Sequence, residues 1–248
     1  MVRWRSMLLV YCLSFMGLSV AKADTLMLTS LLWPPYSGEQ LTEQGASIAV
    51  VRAALNVMGH QLDVDFYPWS RAVKLTTMPN SDYIGYFPEY YVETEKFIFS
   101  KPIGESPLGL VEQKSHPVSW NYIEDLNRYT LGVVKDYVNT QALDRMIFSG
   151  VQRTEAVTSD EHNVKKVAAG RIDAAVIDVN VLHYLLKQKP LQPLATKLQI
   201  NRQILANKQL YIAFRNTEEG RRWRDIVDQG LAQVDVETII GELLYRED

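Results

Sequence analysis

The stretch Gly170-Arg171-Ile172-Asp173-Ala174-Ala175-Val176-Ile177-Asp178 decides the fold. Residues 172–177 form an almost continuous apolar run, broken only by Asp173. A strand that is apolar on both faces belongs in the middle of a parallel sheet covered by helices. Gly170 stops the helical pattern of 160–169 before it, and a second helical pattern, 179–187, follows until Pro190. The alternation continues upstream with a strand at 130–134, a helix at 139–148 ending before Gly150, and a strand at 151–157. Downstream, a strand at 209–214 leads into a long helical tail, 218–245. Nearer the N-terminus, residues 25–32 are an apolar run ended by Pro34-Pro35, which reads as a strand and then a loop. Residues 47–58 carry apolar side chains at helical spacing up to Gly59, and 61–66 alternate as a strand. Ser70 is placed to cap a helix that ends near Met78, and 83–87 read as another strand. Both halves are therefore α/β units of mainly parallel strands flanked by helices. The chain is expected to cross between them near 112–117 and again near 198–203. The natural ligand site of such a pair is the cleft at the carboxyl ends of the strands.

The first residues speak to the compartment. Arg3 and Arg5 precede an apolar run from 7 to 20 and the small-x-small sequence Ala21-Lys22-Ala23. That is the order of a cleaved secretory leader, and the run is short for a permanent span. The expected division is a leader at 1–23, a first lobe made of 24–113 and 203–248, and a second lobe at 114–202. The mature chain is expected in the periplasm. Cys12, the only cysteine, falls in the leader, which leaves no disulfide, thiolate ligand or cysteine nucleophile afterwards. Losing the leader removes three of the 26 basic residues and none of the 29 acidic ones, leaving a net charge of −6 with histidine neutral. A chain this acidic lacks the footprint of a nucleic-acid binder. His60, His116, His162 and His183 show no close metal-ligand spacing. No phosphate-cradling glycine loop and no Gly-x-Ser-x-Gly elbow occurs. The expected partner is a small molecule, with no cofactor and no catalytic machinery.

Three ordered stretches carry a family resemblance. The first is Trp33-Pro34-Pro35-Tyr36, with Gly45 opening a helix. The second is Tyr67-Pro68-Trp69-Ser70-Arg71-Ala72, then Asp82, then Thr94-Glu95-Lys96-Phe97-Ile98-Phe99-Ser100-Lys101-Pro102-Ile103. The third is the 170–178 stretch. Together they resemble the family 3 periplasmic solute-binding proteins. The resemblance implies the two-lobed type 2 periplasmic-binding fold with a two-segment hinge. It also implies a cleft ligand, usually an amino acid or related small molecule, a monomer, and delivery to an ABC-type permease. A membrane sensor is the alternative partner. Departures from the family pattern point away from a standard α-amino acid. Glu105-Ser106-Pro107-Leu108-Gly109-Leu110 lacks the arginine that usually clamps a ligand carboxylate. Lys135-Asp136-Tyr137-Val138-Asn139 replaces the small Gly-Thr nest of the second lobe. Ala46 and Ser47 replace frequent acids.

Candidate ligand-binding residues follow. Trp33 and Tyr36 flank two prolines at a strand end, and the family position of Trp33 is an aromatic that contacts ligand. Trp69 can line the pocket. Arg71 can stand in for the clamp or pair with Asp82. Tyr86 and Phe87, followed by Tyr90, bring an aromatic character that favours flat or cationic ligand parts. Tyr137 and Asn139 open a second-lobe helix that can receive an anion, unless Asn139 serves as its N-cap. Asp178 matches the family residue that pairs with a ligand ammonium, and it can also cap the helix after it. A dehydratase reading remains as an enzymatic alternative, with Asp178 or Glu89 as general acid.

Overall fold

The structure, a computed structural model, describes residues 23–244. Met1 to Lys22 of the expected leader and the last residue of the expected tail lie outside the described residues.

The first α/β series runs β1 (Thr25–Ser30), α1 (Ala46–Val57), β2 (Gln61–Phe66), α2 (Trp69–Thr76) and β3 (Gly85–Tyr90). Two strands that the sequence reading left out come next, β4 (Phe97–Phe99) and β5 (Gly104–Gln113). The second series is β6 (Leu131–Val134), α3 (Gln141–Phe148), β7 (Thr154–Val157), α4 (Asp160–Ala168), β8 (Ala174–Asp178) and α5 (Val179–Lys187). A short β9 (Leu198–Ile200), also unforeseen, precedes β10 (Ala206–Arg215). The tail is two helices, α6 (Glu218–Leu231) and α7 (Val236–Leu244), rather than one.

The strand order is β2-β1-β3-β10-β5-β8-β6-β7, with β4 on β10 and β9 on β5. Strand β1 pairs in parallel with β2 and β3. Strand β6 pairs in parallel with β7 and β8. Each lobe therefore has a parallel core covered by helices. All five residues of β8 are buried, which is what its apolar run demands.

Two long antiparallel strands join the lobes. The first half of β5 pairs with β10, through Gly104↔Leu210 to Leu108↔Ala206. The second half pairs with β8, through Leu108↔Asp178 to Glu112↔Ala174. Strand β10 turns from β5 to β3 at Leu210. Both long strands thus run from one lobe to the other as paired strands. A ladder satisfies the backbone polar groups that a buried loop would leave unmet. Strand β5 was hidden in the sequence because Gly104, Pro107 and Gly109 read as turn residues.

Packing of the tail on the first lobe depends on a close approach. A side chain at Gly230 of α6 would meet the Ala54 carbonyl oxygen of α1 at 2.1 Å. The N-cap of α2 is Pro68, not Ser70. The Ser70 hydroxyl instead reaches across to the Asp136 carboxylate in the second lobe.

Candidate functional site

The parallel strands of the two lobes face each other, carboxyl ends inward, across a narrow cavity of about 40 Å³. Its lining comes from the ends of β1, β3, β6 and β8 and the segments after them, from the starts of α2 and α4, and from Leu108 of β5 and Leu210 of β10. Trp33, Trp69 and Tyr90 wall it from the first lobe, and Tyr137 and Val138 from the second. Gly45 shapes the Trp33 loop. Its φ of 102° suits glycine, and a Cβ there would lie 2.6 Å from the Tyr36 carbonyl carbon. The rings brace one another. Trp33 stacks on Tyr36 with centroids 4.6 Å apart and meets Tyr90 edge-on at 6.4 Å. Trp69 meets Tyr86 and Tyr137 edge-on at 5.3 and 6.1 Å. The Trp69 indole N–H is spent on the Asp136 carbonyl, 3.1 Å away, so the ring face remains the available surface.

Three buried carboxylates line the same cavity: Glu89 at the end of β3, Asp160 at the start of α4 and Asp178 at the end of β8. Asp178 is the centre of a contact between lobes. Its Oδ2 accepts from the Tyr36 hydroxyl at 3.0 Å and the Ser106 hydroxyl at 2.5 Å, and its Oδ1 caps α5 through the Val181 N–H at 2.8 Å. Asn180 donates to the Tyr36 hydroxyl at 2.8 Å, and the Tyr90 hydroxyl lies 2.5 Å from that of Ser106. Burial pushes the Asp178 carboxyl up to about 6, against the pull of the Ser106, Val181 and Tyr36 hydrogen bonds. Burial, and then the Asp178 charge, push Asp160 up to about 7, while the Trp33 indole draws it down. Burial pushes Glu89 up to about 8, opposed by the Tyr90 N–H, the Tyr86 phenol and the Lys208 charge. None of the three is in an ion pair among the described residues. At the cleft mouth the charged lining is Glu39, Asp160 and Glu161. Every charged side chain on the cavity and its mouth is therefore acidic. The nearest cation is Lys208 on β10, half-buried, 4.9 Å above the Tyr90 ring and donating to the Asn139 carbonyl at 3.1 Å.

Of the residues singled out in the sequence, Trp33, Trp69, Tyr137, Asn139 and Asp178 line the cavity. Tyr36 stands behind Trp33 and holds Asp178. Tyr86 backs Trp69, and Phe87 is fully buried, so neither reaches the cavity. Arg71 is exposed, with its guanidinium 5.0 Å from the Tyr67 ring centroid. It neither lines the cavity nor pairs with Asp82, because it follows Trp69 by two helical positions and faces away. Asn139 is not the N-cap of α3; Thr140 is, accepting from Leu143 at 3.2 Å. Asn139 is instead held by Asp144, which accepts its backbone and amide N–H groups.

Asp160 and Lys208 were not among the singled-out residues, Tyr90 had entered only as a neighbour of Tyr86 and Phe87, and Glu89 only as a general acid. Asp160 had a legible signal. Like Asp178, it lies between a strand and a helix on the cleft side of the second lobe, three residues after β7 ends and at the first position of α4. Lys208 had none, since its position depends on the unforeseen strand β5 that aligns β10.

No protein-family model and no curated protein matches the sequence. Solved structures do match in shape. A histidine kinase sensor domain with similarity to periplasmic binding proteins superposes with a TM-score of 0.74 at 17% identity, covering 88% of this chain and 95% of that one. An amino acid ABC transporter substrate-binding protein from Streptococcus pneumoniae, bound to L-arginine, gives 0.70 at 13% identity, with 89% and 94% covered. An ancestral amino-acid-binding protein, a precursor of cyclohexadienyl dehydratase, gives 0.67 at 17% identity, with 88% and 92% covered. These identities speak to shape alone. On that evidence, this chain has the two-lobed α/β fold of the periplasmic binding proteins.

Proposed function

We propose that the protein is a periplasmic solute-binding protein that closes its lobes on a small cationic ligand. The observation that carries this reading is the charge of the cleft. Three buried carboxylates and an aromatic wall surround the cavity, and no basic side chain lines it. A buried carboxylate is costly unless it is neutralised or paired. A cation over indole and phenol faces gains further attraction. The acidic mouth would also concentrate cations before capture. The lobes, taken as 24–113 with 203–248 and as 114–202, would rotate about β5 and β10. Export through the leader, action as a monomer and delivery to an ABC-type permease complete the proposal. A thermal-shift screen of amines, amino acids and organic acids tests it. Amines should raise the melting temperature in proportion to the logarithm of their concentration. Stabilisation by anionic acids alone would overturn it.

The likeness to a histidine kinase sensor domain favours a second destination, in which closure signals to a membrane receptor. Loss of ligand uptake in a deletion strain supports the importer; normal uptake with a lost transcriptional response supports the sensor. The high pKa of Glu89 also keeps a general acid available near neutral pH, which favours the dehydratase alternative. Product formation would establish it, and a ligand recovered unchanged would dismiss it.

A further inference from the structure

The acids of the cleft are distributed, not clustered. Glu89 belongs to the first lobe and has the Lys208 charge as its neighbour. Asp160 and Asp178 belong to the second lobe and influence each other. Among the described residues, no group of three His, Cys, Asp or Glu converges as a metal site would. Both lobes therefore contribute acid to the cavity. Fully ionised, the three carboxylates and Lys208 together carry two uncompensated negative charges.

The usual receptors for a ligand carboxylate are occupied by the protein itself. Helix N-termini attract anions through their free N–H groups and their dipole. Two that face this cavity from the second lobe, those of α4 and α5, already carry acids of their own. Asp178 caps α5, and Asp160 is the first residue of α4. The remaining cation, Lys208, is engaged by the Asn139 carbonyl and the Tyr90 face. At the α4 and α5 ends a ligand carboxylate would meet like charge.

We propose, building on the cationic-ligand reading above, that the cleft takes a small aliphatic dication with no carboxylate of its own, a diamine or its guanidino counterpart. One cationic end lies against Glu89 and the other against Asp160 and Asp178, with the methylene stem between the Trp33, Trp69, Tyr90 and Tyr137 rings. The ligand then bridges the two lobes through charge, so its binding and lobe closure are the same event.

Calorimetry with matched probes tests this. The probes are 1,4-diaminobutane, 1,5-diaminopentane, butylamine, 4-aminobutanoate, L-arginine and L-glutamate. A diamine should bind at least about 10-fold more tightly than butylamine, since one charged contact is worth roughly that much or more. It should exceed 4-aminobutanoate and L-arginine by a similar or larger factor, because each of these brings a carboxylate. In Glu89→Gln, the advantage of the diamine over butylamine should collapse while the variant still unfolds cooperatively on heating. Butylamine or L-arginine binding as tightly as the diamines would overturn the dication and leave the cationic-ligand reading standing. An undiminished diamine advantage in Glu89→Gln would also overturn it. L-Glutamate binding in preference to every amine, or no binding by any amine, would overturn both.

Discussion

Replacing Glu89 by Gln should make the ligand-free protein more stable in mild alkali, although it removes a polar contact from a buried site. The reasoning is one of linkage. Burial holds the Glu89 carboxyl at about 8 instead of 4.5, with the Tyr90 N–H, the Tyr86 phenol and Lys208 as the groups that oppose the shift. Between those two pH values the folded protein keeps a proton that the unfolded chain has released. Stability from this group is therefore complete below pH 4.5 and lost as the pH rises through 8. At 1.36 kcal/mol per pH unit, the full loss is on the order of 5 kcal/mol. Lobe opening lets water reach the carboxylate and relieves part of it, so about 2 kcal/mol should survive in the melting temperature. For a domain of this size that is about 4–8 °C. Gln keeps the oxygen that accepts the Tyr90 N–H at 2.7 Å and cannot ionise. Scanning fluorimetry of both proteins from about pH 5 to 8.5, the window set by these two pKa values, should give similar melting temperatures in acid and a gap that widens in favour of Glu89→Gln. Asp160 and Asp178 slope in the same direction but are common to both proteins, so they cancel in the difference. Parallel curves, with a gap that does not change with pH, would refute the reasoning.

The same acids set the pH dependence of binding. A cation favours ionised carboxylates, so diamine affinity should rise with pH through the range from about 6 to 8, with protons released on binding; buffer-independent heats of binding would contradict this. Tyr36→Phe removes the hydroxyl that donates to Asp178 and accepts from Asn180. It should loosen closure and weaken ligand binding by about 10-fold, measured by calorimetry, with little change in urea stability. Gly45→Ala should cost at least about 2 kcal/mol in urea denaturation, because φ at 102° and the Tyr36 backbone both oppose a side chain there. An alanine variant as stable as the parent would show that the loop before α1 can shift at no cost.

How much of this was legible in the sequence follows from which signals are local. The β8 run, its flanking helices and the Trp33-Pro34-Pro35-Tyr36 stretch declare themselves through periodicity and turn chemistry, and the structure has them. Strand β5 does not, because its glycines and proline imitate a loop; only its partners β10 and β8 make it a strand. The error carried into the site. With β5 left out, the chief feature of 105–110 was the arginine it lacks. With β5 as a strand, Ser106 points its hydroxyl at Asp178 and becomes part of the contact between lobes. Arg71 failed for a related reason. Charge type alone nominated it, while its helical phase, two positions beyond Trp69, turned it outward.

Asp178 illustrates how a residue can be required for both folding and capture. A residue that only paired with ligand would lose far more binding than stability in Asp178→Ala. The structure does not allow that separation. Alanine there would uncap α5, at about 1 kcal/mol, and remove the acceptor shared by the Tyr36 and Ser106 hydroxyls, leaving Tyr36 the Glu105 carbonyl at 3.1 Å and Ser106 the Tyr90 hydroxyl, at a further cost of about 1 kcal/mol or more. Asp178→Asn is the discriminating change, since its Oδ1 can still cap the helix while the charge is gone. If the carboxylate serves only the fold, this variant should bind ligand as the parent does. If its charge helps to hold a cation, affinity should fall by about 10-fold or more while the melting temperature near pH 5 stays within a few degrees. The difference arises because closing two lobes over unneutralised carboxylates is unfavourable, and only a ligand that carries the opposite charge inward removes that penalty in the closed form. Differential binding to the closed form is what couples capture to closure, and the acids of this cleft are placed to supply it.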